Sequence, residues 1–176
     1  MNVLIVIDMQ NDFLHGALRN EEGIKIIPSV VEKIREYKAN GQEVIATRDT
    51  HPENYLDTQE GQNLPVVHCV KGSYGWQINS EVQNALENSI IFDKPTFGSS
   101  ELALYLKNRF EGVQKQLTFE IVGVCTDICV ISNAMLIKAF LPEAKVKVNS
   151  ALCAGVSVQS HKTALLAMQA CQIQII

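Results

Sequence analysis

Two sets of residues in this chain could do chemistry. The first centres on Cys129, in the stretch Phe119 to Val130, FEIVGVCTDICV. An apolar run stops sharply at Cys125-Thr126-Asp127, and a helical pattern of Ile128, Val130, Ile131, Ala134, Met135 and Ile137 follows. With Thr126 or Asp127 as its cap, that helix places Cys129 in its first turn, where free N–H groups and the positive end of the helix dipole favour a thiolate. Burial as a small hydrophobe is the commoner fate of a free cysteine, so a nucleophile must also have partners. Asp8 ends the apolar run Val3 to Ile7, and a carboxylate there is costly to desolvate unless it has a partner or a task. It could take the thiol proton and return it to a leaving group. Lys94, just past the apolar stretch 89 to 92, could balance the charge between the two. Backbone N–H groups of Cys125 and Cys129 would then stabilise a tetrahedral oxyanion.

The second set is Asp49, His51, Asp57, Glu60 and His68. Asp49 and His51 are spaced i, i+2, which puts both side chains on one side of an extended segment. Glu60 and His68 could return from the loop to complete a site. Two imidazoles and two carboxylates suit zinc, iron or manganese. The spacing matches no compact metal motif, and Asp and His are common in loops.

The elements that must position these groups alternate. Strands are expected at Val3 to Ile7, Glu43 to Ala46, Ser89 to Phe92, Phe119 to Val124, Lys145 to Val148 and Ile173 to Ile176. Helices are expected from Pro28 to Gly41, Ile78 to Leu86, from Ser99 or Ser100 through Phe110, after Cys125, and from Ser157 to Ala170. Residues 14 to 27 read as a polar loop, and 49 to 77 as a connection long enough to be functional. The alternating Lys145-Val146-Lys147-Val148 suggests a strand near the sheet edge. Cys153 and Cys171 read as structural, and His161 as a residue near a helix start with no assigned role. The order implies an α/β fold, a three-layer α-β-α arrangement with a mainly parallel six-stranded sheet and helices on both faces, in one domain over 1–176. Such sheets bind ligands outside the carboxyl ends of their strands, where Asp8, Asp49, Lys94 and the Cys125 to Cys129 turn all emerge.

Composition bounds the function. The chain has 176 residues, 47% hydrophobic and 19% charged, with a net charge of −4. No basic cluster suggests nucleic acid or an anionic membrane. No apolar stretch is long enough to span a bilayer. The N-terminal MNVLIVID lacks a basic leader, and five cysteines fit no disulfide framework, which together point to free thiols in the cytoplasm. There is no glycine-rich phosphate loop and no serine-histidine-acid arrangement.

Taken in order, VIDMQNDF at 6–13, ATRDTH at 46–51, FDKPTFGSS at 92–100 and VGVCTDICV at 122–130 resemble the isochorismatase-like cysteine hydrolases, and within them the nicotinamidases. The resemblance covers nearly the whole chain. It implies that Asp8, Lys94 and Cys129 form an Asp-Lys-Cys triad working through a thioester acyl-enzyme, and that the Val124–Cys125 peptide is cis beside the oxyanion hole of Cys125 and Cys129. It implies one divalent metal, zinc first and iron or manganese next, held by Asp49, His51, Glu60 and His68, with Asp57 the less favoured substitute for Glu60. Phe13 would line the substrate pocket. The implied reaction is hydrolysis of nicotinamide to nicotinate and ammonia. A related cysteine amidase of a small amide or ureido compound, which would lack the full ligand set, is the alternative, and a non-catalytic binding domain is a remote one. Related proteins often form dimers or tetramers. Where several nicotinamidases carry a tryptophan before the second metal histidine, this chain has Leu64-Pro65-Val66-Val67, and its only tryptophan is Trp76.

Overall fold

The computed structural model describes residues 1–176. Strand β1 (Asn2–Ile7) lies at the centre, with β2 (Glu43–Asp49) and β3 (Ile90–Lys94) on one side. On the other side lie β4 (Thr118–Val124), β5 (Lys145–Ala154) and β6 (Gln174–Ile175). The order is β3-β2-β1-β4-β5-β6, and every pairing is parallel. The chain reverses its direction of travel across the sheet between β1 and β4, the position where open parallel sheets form a crevice.

Alternation along the strands builds two cores. Leu4, Val6, Val44, Ala46, Val122 and Val124 face helices α2 (Glu21–Ala39) and α4 (Ser80–Ala85). Val3, Ile5, Ile7, Ile45, Phe119 and Ile121 face α5 (Ser100–Phe110), α6 (Ile131–Phe140) and α7 (Val158–Ala170). Both faces are apolar because both are covered, and each fully buried Val, Leu or Ile contributes about 1.5–3 kcal/mol. The two short helices are α1 (Asn11–Leu14) and α3 (Gln59–Asn63).

Several elements depart from the sequence reading. Helix α2 begins at Glu21, not at Pro28, so much of the expected polar loop is helical. The Asn20 side chain caps it by accepting the Gly23 N–H, and the buried stripe starts at Ile26, ahead of the proline. Pro28 costs one helical hydrogen bond, which packing of that stripe offsets. Strand β5 runs ten residues, longer than the four expected, and lies one strand from the edge as its alternation suggests, with the two-residue β6 outside it. From β5 Asn149 Nδ2 donates to the buried Glu120 carboxylate, which also accepts the Tyr37 hydroxyl. The long connection holds a 3-10 turn, Tyr55–Asp57, and α3. Cys153 is buried, as expected of a structural residue, but Cys171 is exposed.

Strands β4 and β1 leave no room for a side chain at Gly123, whose φ is +117° and where a Cβ would lie 2.1 Å from the Ile7 carbonyl oxygen. Gly123→Ala is expected to destabilise the protein by about 3 kcal/mol or more, as left-handed strain and backbone collision add. Urea unfolding checks this, and an unchanged midpoint refutes it.

Candidate active site

Four strand ends deliver the groups. Asp8 follows β1 directly, and its φ of +47° turns the chain out of the sheet there. Asp49 and Lys94 are the last residues of β2 and β3 and are partners in register, which sets them side by side. After β4 the Val124–Cys125 peptide is cis, and a π-helical turn, Thr126–Val130, leads into α6. No side chain caps this turn, contrary to the expectation for Thr126 or Asp127. Thr126 Oγ1 instead lies 2.8 Å from His161 Nδ1, and Asp127 Oδ1 accepts the Val156 N–H. His161 therefore braces the turn from α7. The Cys125 N–H has no hydrogen-bond acceptor, so a backbone donor stands free beside Cys129.

Lys94 is 1% exposed and touches three groups. Its Nζ is 2.7 Å from Asp8 Oδ2, 2.9 Å from Asp49 Oδ1 and 3.4 Å from Cys129 Sγ. Asp8 Oδ1 also accepts the Thr47 hydroxyl at 2.7 Å, whereas its buried Oδ2 has only the ion-pair contact. The cluster holds two carboxylates for one ammonium. Burial alone would lower Lys94, but Asp8, Cys129 and Asp49 together hold it well above the ordinary lysine value. Burial raises Asp8, and the Asp49 charge adds to this, against the opposing pull of Lys94. The Cys129 thiol is pushed well up by burial, then by the charge of Asp8, with Lys94 opposing. The preference of the helix start for a thiolate is thus opposed by burial and by the neighbouring carboxylates. Desolvation and two carboxylates keep the resting group a thiol, and a base must take its proton. Asp8 is the carboxylate placed beside it, since both Asp8 Oδ2 and the Cys129 sulfur contact the Lys94 ammonium.

The second set converges beside the first. His51 Nε2 is 2.9 Å from Asp49 Oδ2, and His68 Nε2 is 3.7 Å from the same oxygen. Glu60 Oε1 lies 3.6 Å from His51 Nε2 and 3.9 Å from His68 Nε2. Asp49, His51 and His68 each offer a ligand atom within 4.8 Å of the others. His68 Nδ1 is 2.8 Å from the Val66 carbonyl, which can only accept, so the proton sits on Nδ1 and the Nε2 lone pair faces the cluster. That is how a metal-binding histidine is oriented by its outer partner. Two imidazoles and the Asp49 carboxylate at this spacing fit a divalent metal, and Glu60 stands beside the two histidines. Asp57 is exposed in the preceding turn and does not join the cluster. Burial would raise Asp49, but His51 and Lys94 hold it below the ordinary carboxylate value.

Both sets open on one cavity of about 530 Å³, lined by Asp49, Glu60, His68, Cys125 and Cys129 together with Phe13, Leu64 and Phe97. The Phe13 ring stands edge-on to His68 with centroids 5.7 Å apart. Leu64 forms part of the wall. Trp76 is committed elsewhere, with its Nε1 on Thr50 Oγ1 and the Arg48 guanidinium 3.4 Å above its ring. Sequence reading missed the double use of Asp49, one oxygen toward each set, and the hydrogen bond from Thr47. It also missed the buried Gln10 and the partly buried Asp12, both in a motif already singled out.

Comparison with known proteins matches residues 2–176 to the isochorismatase domain family. The chain is 28% identical to the nicotinamidase of Escherichia coli over 191 residues, covering 92% of this chain and 86% of that one. It superposes on the zinc-bound pyrazinamidase of Pyrococcus horikoshii with a TM-score of 0.83 and 31% identity, covering 99% and 98% of the two chains. The N-carbamoylsarcosine amidase of Thermoplasma acidophilum shares the fold, with a TM-score of 0.79, 22% identity and coverage of 99% and 94%.

Proposed function

The chain belongs to the isochorismatase domain family, and from that premise we propose that it is a metal-containing nicotinamidase, hydrolysing nicotinamide to nicotinate and ammonia. The observation that carries this reading is the meeting, in one cavity, of a cysteine flanked by Asp8 and Lys94 with a nitrogen and oxygen donor cluster. Asp49, His51, Glu60 and His68 would hold the ion, zinc by its ligand set, with iron or manganese the other metals that accept it. When bound, the metal supplies a Lewis acid that anchors the pyridine nitrogen, so that the carboxamide is presented to Cys129. The edge of Phe13 and the apolar wall exclude water from the ring.

The chain's own groups account for the bond changes. Asp8 takes the Cys129 proton as the sulfur lone pair attacks the amide carbon. The carbonyl electron pair moves to oxygen, where the N–H groups of Cys125 and Cys129 receive it. Lys94 keeps its proton throughout and offsets negative charge as it passes between Asp8 and sulfur. The oxyanion then collapses and the C–N bond breaks, with Asp8 returning the proton to the leaving nitrogen as ammonia forms. In the second half Asp8 takes a proton from water, hydroxide oxygen attacks the thioester, and the displaced thiolate recovers that proton.

Ammonia release from purified, metal-loaded protein should be measured with nicotinamide and with small linear and ureido amides. Turnover of nicotinamide is expected; its absence with metal present removes the proposal. The pH dependence follows from the charges. Asp8 must be ionised to act, and its value is raised, so kcat/KM falls on acidification at a pH above the ordinary aspartate range. Lys94 lies well above the usual lysine value, so no loss from its deprotonation is expected up to that value. A pH profile at saturating metal checks both limbs. An acid limb at an unperturbed aspartate value contradicts the assignment of Asp8.

A further inference from the structure

The motif after β1 places Gln10 and Asp12 against the loops that carry the metal ligands, and neither has a part in the reaction above. Gln10 is fully buried. Its Oε1 accepts the Asp49 N–H at 2.7 Å, and its Nε2 donates to the Asp49 and Trp76 carbonyls at 2.9 Å each. Strand β1 has left the sheet by this point, because Asp8 has turned outward and its own N–H makes the last ladder bond, to Thr47. The Gln10 amide therefore stands where the next peptide group of β1 would pair with β2. It fixes both backbone groups of the residue that serves both site clusters. Asp12 acts on the other ligand loop. Its Oδ2 accepts the Cys69 N–H at 2.7 Å, Oδ1 accepts the Ala17 N–H at 3.2 Å, and its backbone N–H donates to the Gly75 carbonyl at 3.0 Å. The loop closes so tightly here that a Cβ on Gly75 would lie 2.0 Å from the Asp12 carboxylate. Cys69, next to His68, takes a left-handed φ of +47° under this hold.

We propose that Gln10 and Asp12 are positioning residues for the metal site, Gln10 acting through the backbone of Asp49 and Asp12 through the peptide that joins His68 to Cys69. The inference rests on the metal reading of Asp49, His51, Glu60 and His68. Without the two clamps these donors must be ordered by the metal itself, and that cost appears as lost affinity.

The test uses full-length protein stripped of metal and titrated with zinc against a chromogenic chelator, with the melting temperature of the stripped protein measured alongside. Gln10→Met keeps the side-chain volume and removes all three hydrogen bonds, and Asp12→Ala removes both carboxylate contacts. Each is expected to weaken zinc binding by about tenfold or more. Met168→Ala, at a fully buried position on the inner face of α7, controls for general loss of stability. If Asp12→Ala fails to fold, Gln10→Met alone decides. Wild-type zinc affinity in the variants overturns the inference and leaves the metal reading standing. So does an equal loss of affinity in Met168→Ala at the same fall in melting temperature. A wild-type protein that binds no zinc removes both.

Discussion

Cys129→Ala is expected to lose amide hydrolysis by about 10⁴-fold or more, the scale seen when a covalent nucleophile is removed. The fold should survive, because the side chain is small and sits among residues of the second core, and deleting one buried sulfur leaves a void worth about 1–2 kcal/mol. The effect falls on kcat, since the cavity walls and the donor cluster remain. Cys129→Ser is expected to fail almost as completely. The site holds its nucleophile protonated, and Asp8 would have to deprotonate a hydroxyl, which is both less acidic and less nucleophilic than a thiol. Thiol labelling of the wild type should mark Cys129 and abolish turnover together. Hydrolysis by Cys129→Ala within about tenfold of the wild-type rate would show that sulfur is not the attacking atom.

The second large effect is at Asp49, and its sign differs between two assays. Asp49→Asn removes a ligand, so zinc affinity and hydrolysis should both fall, each by about 100-fold or more. The same change removes a negative charge that raises both Asp8 and the Cys129 thiol. Both groups should therefore move down, and alkylation of metal-free Cys129 near neutral pH should become faster than in the metal-free wild type. His51→Ala provides the contrast. It also removes a ligand, but it leaves the Asp49 charge on the thiol, so alkylation should not accelerate. An Asp49→Asn protein that alkylates no faster than wild type would mean that Asp49 belongs to the metal cluster alone.

Under the proposed function, this double position would link substrate anchoring to the state of the nucleophile. Asp49 gives Oδ1 to Lys94 at 2.9 Å and Oδ2 to His51 at the same distance. A cation held at Oδ2, as proposed, would withdraw charge from the environment of Lys94 and, through it, from Asp8 and sulfur. The two sets share a carboxylate because β2 and β3 end in register, Asp49 opposite Lys94.

Much of the frame was legible because local patterns and global fold agree. Val3 to Ile7 is apolar throughout and Phe119 to Val124 is apolar apart from Glu120, which is the mark of strands covered on both faces, and each ends abruptly in polar residues. Misreadings arose where tertiary contacts overrode local signals. Pro28 resembles a helix start, yet packing carries α2 back to the cap at Asn20. Lys145 to Val148 carries the alternation of a strand near the edge, yet the strand runs on to Ala154. Thr126 resembles a helix cap, yet its hydroxyl is taken by His161, thirty-five residues away in sequence.

The sequence by itself determined the α/β order, the residue types available at the strand ends and the family resemblance, because periodicity and motif order are local properties of the chain. Only the tertiary structure decided the ionisation of the cysteine, since a resting thiol follows from burial and from two carboxylates brought in from β1 and β2. It alone showed Glu60, rather than Asp57, approaching the histidines, because three residues along the chain turn one side chain inward and leave the other in solvent. It alone revealed that Gln10 completes the sheet at Asp49, a contact between groups thirty-nine residues apart that no spacing rule encodes.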